Sequence, residues 1–186
     1  MCELIPTSHW VIVIGGFQQR RETLNGTKSL YLKLRRFASP SIKVVWLSWN
    51  DPLVQVAEQI WQDSLGQVSP KVHISAFSWG CGRGAVRLAR ALDRRGILVQ
   101  EAVLCDPVNR WPWKRSIRIP ENVESVWYLV QRKTWPQGAV ELRHGPETTI
   151  YSPIPLPTGH IWSDDAQVFH ETAIDSVSRF LQEVSP

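Results

Sequence analysis

The chain has little of what builds a stapled, metal-bound or membrane-spanning protein. Its three cysteines, Cys2, Cys81 and Cys105, leave at least one thiol unpaired, which argues against a disulfide framework and for a reducing compartment. No charged-then-apolar leader opens it, so a cytoplasmic location is expected. No apolar run approaches the roughly 20 residues needed to span a bilayer. No two histidines or cysteines stand at metal-ligand spacing, so neither a metal nor another cofactor is expected. Low-complexity tracts and internal repeats are also missing. The net charge of +4 comes from basic residues that are scattered or lie on predicted helix faces, a pattern that argues for solvated surface and against nucleic-acid binding.

What remains is globular. The 186 residues are 43% hydrophobic and 20% charged, enough for a single domain over 1–186. Folding at that size buries about 70% of the surface the unfolded chain exposes, so no staple is required.

Strand and helix signals alternate. Apolar or β-branched runs predict strands over 10–14, 42–49, 72–77, 102–105, 123–130 and, with a turn at Gly145-Pro146, 139–151. Helical spacing predicts helices over 24–37, 52–65, 85–92 and 164–184. Continuous apolar strands separated by helices mean an α/β fold, a mostly parallel sheet covered on both faces. Ligands of such sheets bind beyond the carboxyl ends of the strands. The residues that matter are therefore those ending each strand.

One strand end stands out. The run Val72-His73-Ile74-Ser75-Ala76-Phe77 stops at Ser78, and Gly80, Gly82, Gly84 and Ala85 follow before a helical pattern starts. A strand, a tight turn holding an exposed serine, and a helix form a nucleophile elbow, whose crowding requires small residues two before and two after the serine. Ala76 and Gly80 fill those places, alanine standing where glycine is usual.

Later strand ends supply a carboxylate and an imidazole, in the chain order Ser78, Asp106, His160. A serine hydroxyl needs a base to take its proton as it attacks, and a histidine can do so and then return the proton to the leaving group. The histidine in turn needs a carboxylate to fix its tautomer. Glu141 and Asp51 stand in reserve for the acid. His170 competes for the base, but it falls inside the final helix, whereas His160 lies in a loop rich in proline and glycine ahead of it. Asp164 and Asp165 read as acidic residues at a helix N-terminus. The oxyanion would be held by the Trp79 N–H and by the Phe17 N–H, which follows Gly15-Gly16.

With these segments the chain resembles the α/β-hydrolase superfamily, and within it small serine esterases and lipase-like proteins, from Trp10 to Leu181. The resemblance rests on Val11-Ile12-Val13-Ile14-Gly15-Gly16-Phe17, Ala76-Phe77-Ser78-Trp79-Gly80, Leu104-Cys105-Asp106-Pro107-Val108 and Gly159-His160. It implies a three-layer sandwich without a full cap domain and hydrolysis of an ester or thioester through an acyl-enzyme. Two departures are visible. No histidine precedes the Gly15-Gly16 loop, and the acid sits one strand earlier than in many members. The next strand end, Gln131-Arg132-Lys133, offers no carboxylate.

Ten tryptophans are many for this length. Trp10, Trp46, Trp61 and Trp127 read as core or cover. Trp49, Trp79, Trp111, Trp113, Trp135 and Trp162 fall at the expected active edge, where they would form an apolar wall for an acyl or aromatic group. The segment 109–120 would act as a short lid. Two other readings stand beside the hydrolase: a catalytically silent relative that binds a small molecule or protein, and acyl transfer to an alcohol or amine.

Overall fold

The computed structural model describes residues 9–17, 19, 23–64, 69–109, 116–138 and 141–182. The chain is α/β. Strands β1 (His9–Gly15), β2 (Ile42–Ser48), β3 (Lys71–Phe77), β4 (Val99–Cys105) and β6 (Val123–Val130) form a parallel sheet in the order β2-β1-β3-β4-β6. Two short strands, β8 (Thr149–Ile150) and β9 (Ile154–Pro155), extend it along β6. A separate two-stranded sheet pairs β5 (Ser116–Arg118) with β7 (Glu141–Arg143).

Helices cover both faces, which makes three layers. On one face α1 (Gly26–Leu34) and α4 (Gln167–Gln182) pack Leu30, Leu34, Phe169, Val177 and Phe180 against Val11, Val13, Phe77 and Val103 of the sheet. On the other, α2 (Leu53–Asp63) and α3 (Val86–Asp93) pack Leu53, Ile60, Leu88 and Leu92 against Ile12, Ile14, Ile74 and Leu104. Alternate residues of each central strand thus enter opposite cores, which is why these strands read as unbroken apolar runs. Among the described residues no helix is long and apolar enough to cross a membrane.

The last predicted strand needs correction. Residues 139–151 do not form one strand: Glu141–Arg143 pairs with β5 outside the main sheet, and only Thr149–Ile150 joins β6. Gly145 and Pro146 break the run, and no apolar stretch between them and Thr149 is long enough to hold a full ladder. The start of the helix after β3 also differs. Gly80–Ala85 winds as a wider π turn before α3 begins at Val86, a feature that small residues permit and helical spacing does not reveal. Of the predicted lid, Ser116–Arg118 is β5, while 110–115 lie outside the described residues.

The topology places one crevice. From β1 the chain crosses by α1 to β2 on one side, and from β3 it crosses by α3 to β4 on the other. The carboxyl ends of β1 and β3 are adjacent, and the loops leaving them diverge over opposite faces. That reversal point is where a doubly wound sheet opens a ligand crevice.

Candidate active site

Ser78 directly follows β3 with φ +54, a left-handed backbone that a residue with a Cβ rarely adopts. The turn is held from three sides. The Ser78 N–H donates to Cys105 O at 3.0 Å, and the Ser78 carbonyl accepts from Cys81 N at 3.0 Å and Val108 N at 3.1 Å. The elbow also presses onto β1: a Cβ on Gly80 would stand 2.5 Å from Ile14 O. The smallness expected two residues after the serine therefore has a specific cause, the backbone of the neighbouring strand.

Asp106 directly follows β4 with φ +42 and is fully buried. Its Oδ2 lies 2.5 Å from His160 Nδ1, and His160 Nε2 lies 2.9 Å from Ser78 Oγ. Residues from two strand ends and one loop, 54 and 82 positions apart, thus make one continuous relay. The carboxylate accepts from Nδ1–H, which leaves Nε2 as the acceptor facing the serine hydroxyl. His160 is 8% exposed and its ring packs 5.1 Å from that of Phe77.

The remaining hydrogen bonds come from the loop after β6, in which sequence reasoning finds no carboxylate and singles out only Trp135. Asp106 Oδ1 accepts from Gly138 N at 2.9 Å and from Gln131 N at 3.4 Å. Buried Gln131 shapes that loop from within. Its Oε1 accepts from Lys133 N and Thr134 N, at 2.8 and 2.9 Å, and its Nε2 donates to Thr134 O and Pro136 O. Thr134 Oγ1 then accepts from the His160 N–H at 2.8 Å. One loop orients both acid and base. Because its contacts run largely through backbone amides, no residue type announces them in the sequence.

The loop after β1 runs beside the serine. A Cβ on Gly16 would be 3.0 Å from Ser78 Cβ. The ring of Phe17 lies 5.0 Å from that of Trp79, so the two expected oxyanion donors belong to neighbouring residues across the crevice. Gln19 folds this loop back, its Oε1 accepting from Gly16 N at 2.7 Å.

Beside Ser78 and His160 opens a cavity of about 690 Å³ with apolar walls from Phe17, Leu24, Phe77, Trp79, Trp135 and Trp162 and carboxylates at Asp164 and Asp165. Trp135 and Trp162 each leave 66% of their surface exposed. Trp49 does not line the cavity; it packs behind Phe17 and Trp79, at ring distances of 6.3 and 5.1 Å. Arg83 sits over both Trp49 and Trp79 at 5.7 Å. Trp111 and Trp113 lie outside the described residues.

The other candidates have different partners. Asp51 Oδ2 accepts from Ser48 N ahead of α2, and exposed Glu141 pairs with Arg143. His170 lies within α4, donates from Nε2 to Asp164 O at 2.8 Å and faces Lys33 Nζ at 2.8 Å. Burial, and then Lys33, hold it below the ordinary histidine range. Asp164 is no simple helix-end residue. It precedes α4, its Oδ2 accepts from Gly26 N at 2.9 Å and from Gln19 Nε2, and burial followed by the charge of Asp165 pushes its carboxyl up to about 6. Cys81 and Cys105 are free and buried, with thiols raised well above their usual range by burial and, next, by Asp106 for Cys81 and by the Cys81 thiol for Cys105. Among the described residues no three metal-binding side chains cluster.

Neither a scan against protein-family models nor a search of the curated proteins yields a match to the chain. Its functional reading therefore stands on the site alone.

Proposed function

We propose that this protein is a cofactor-free serine hydrolase of the α/β-hydrolase type, cleaving an ester or thioester through an acyl-enzyme. The observation that carries the reading is the relay from Ser78 Oγ through His160 to Asp106, at 2.9 and 2.5 Å. Ser78 attacks the carbonyl carbon while His160 Nε2 takes the hydroxyl proton. Asp106 holds the imidazole in the required tautomer and stabilises the imidazolium. The developing oxyanion is held by the Phe17 and Trp79 N–H groups. Collapse expels the leaving group, which takes the proton from His160. Water, deprotonated by the same base, then attacks the acyl carbon; the bond to Ser78 Oγ breaks, the serine takes back the proton from His160, and the acid product departs. The strained φ at Ser78 supports the reading, because unfavourable backbone at a turn persists where function holds it.

The tryptophan and phenylalanine walls favour a substrate with an apolar acyl or aromatic group, bound by area more than by polar contacts. A fluorophosphonate probe tests the assignment. Covalent labelling of the intact protein, lost in Ser78→Ala, with turnover of a short-chain p-nitrophenyl ester, is expected. A folded protein that is never labelled and turns over no ester would favour a silent relative that binds in the same cavity. Ester consumption that proceeds only with an added alcohol or amine would favour acyl transfer.

A further inference from the structure

Asp164 and Gln19 form a link that the relay does not use. Asp164 lies four residues after His160, in the loop that carries the base. Its Oδ2 accepts from Gln19 Nε2, and Gln19 Oε1 accepts from the Gly16 N–H at 2.7 Å. The Gln19 N–H in turn donates to Gly16 O at 3.3 Å, closing a turn over 16–19. Phe17 is the second residue of that turn. A four-residue turn bonds its first carbonyl to its fourth amide, so the second residue's N–H is left to point outward. The Gln19 side chain takes the Gly16 amide as well, so of the described residues of this turn, Gly16, Phe17 and Gln19, Phe17 is the one whose amide these two bonds leave for a ligand.

Resting on the hydrolase reading, the structure assigns Gln19 and Asp164 as positioning residues that fix the oxyanion loop to the base loop. The pair ties the Gly16–Phe17 backbone to the segment that carries His160, so the donor at Phe17 and the base keep one geometry. Two further contacts hold the anchor in place. Gly26 N, at the start of α1, donates to Asp164 Oδ2 at 2.9 Å, and Thr27 Oγ1 donates to Gln19 Oε1 at 3.0 Å. Neither Gln19 nor Asp164 exchanges a proton in the reaction. Both line the cavity and act through the backbone they hold.

The test compares Gln19→Ala, Asp164→Ala, Asp164→Asn and the double alanine variant with the wild type, using a p-nitrophenyl ester and the melting temperature of each protein. A misplacement of about 1 Å costs about 10²-fold in rate. Each alanine variant is therefore expected to lose about 10²-fold in kcat with little change in KM. Asp164→Asn keeps an acceptor oxygen for Gln19 and Gly26, and should stay within about tenfold of wild type. The double variant should be no slower than the slower single, because the two residues act as one link. Should Asp164→Ala fail to fold through loss of the α1 contact, Gln19→Ala alone decides. Folded Gln19→Ala with wild-type kcat overturns the inference, as does a loss confined to KM or losses that multiply in the double variant. A wild type that neither labels nor hydrolyses overturns the hydrolase reading and this link with it. An active wild type with unaffected variants overturns only the link.

Discussion

Gly138 donates its N–H to Asp106 Oδ1 at 2.9 Å, and a Cβ on Gly138 would fall 2.4 Å from that same oxygen. The carboxylate that orients His160 is thus seated against a bare backbone, and nothing larger than hydrogen fits. Gly138→Ala should rotate or displace Asp106 while leaving the side chains of Ser78, His160 and Asp106 all present. The expected result is a kcat reduced at least about 10-fold, approaching the roughly 10⁴-fold loss expected of Asp106→Asn, where the tautomer is wrong. Steady-state kinetics of the two variants on one ester would check the order. Equal activity in Gly138→Ala and wild type would remove the acid role from Asp106.

The backbone at Ser78 makes an opposite prediction for stability. With φ +54 the serine sits where a Cβ is unfavourable, by about 1–2 kcal/mol, and where glycine rests at ease. Ser78→Gly should therefore be more stable than Ser78→Ala by about 1 kcal/mol, with both inactive. Urea midpoints at constant m would read the difference.

The exposed tryptophans at the mouth of the cavity separate binding from chemistry. Trp135→Ala and Trp162→Ala remove exposed apolar surface that lines the cavity and lies outside the buried core. Each should raise KM for a long-chain or aromatic ester severalfold, change kcat by less than about threefold, and leave the melting temperature within a degree or two. A large fall in kcat with unchanged KM would mean that these side chains shape the relay itself.

Acid should destabilise the fold through His73. Its ring is buried between β3 and α4, its Nε2 lies 2.6 Å from Ser176 Oγ, and burial, then Arg179, push its pKa down to about 3. The folded form therefore refuses a proton that the unfolded chain accepts near pH 6.5. Stability contributed by the neutral ring is present above that pH and lost as pH falls through it, by about 2 kcal/mol between pH 7 and 5. His9 and His170, both held low chiefly by burial, add to the loss. Asp164 opposes it: its raised carboxyl favours the folded state below about pH 4 and loses that advantage as pH rises through about 6. Denaturation curves at pH 7 and 5 should show His73→Leu losing about one histidine's worth less stability than wild type.

Ser78, Asp106 and His160 were legible because each interrupts a strong local pattern: an apolar strand ending in a small or polar residue, or a Pro/Gly loop before an amphipathic helix. The central strands were legible for the same reason, and Val123–Val130 matches its predicted bounds. The supporting parts were not. Gln131 and Gly138 reach Asp106 through main-chain amides, which every sequence has, and the side chains of Gln131 and Thr134 bond backbone groups that no residue type marks. Asp164 resembles any acidic helix-start residue until Gly26 and Gln19 are seen around it. Residues 139–151 failed as a strand because β propensity without a long apolar run does not say which sheet, if any, takes the segment.

Every ladder of the main sheet is parallel, so no two neighbouring strands are joined by a hairpin. His160 stands 82 residues after Ser78. During synthesis at about 5–20 residues per second, the serine therefore exists for roughly 4–16 s before its base has been made. On the proposed reading, the emerging chain holds the serine without its base throughout that interval, and a chain that stops short of His160 carries Ser78 with nothing to take its proton.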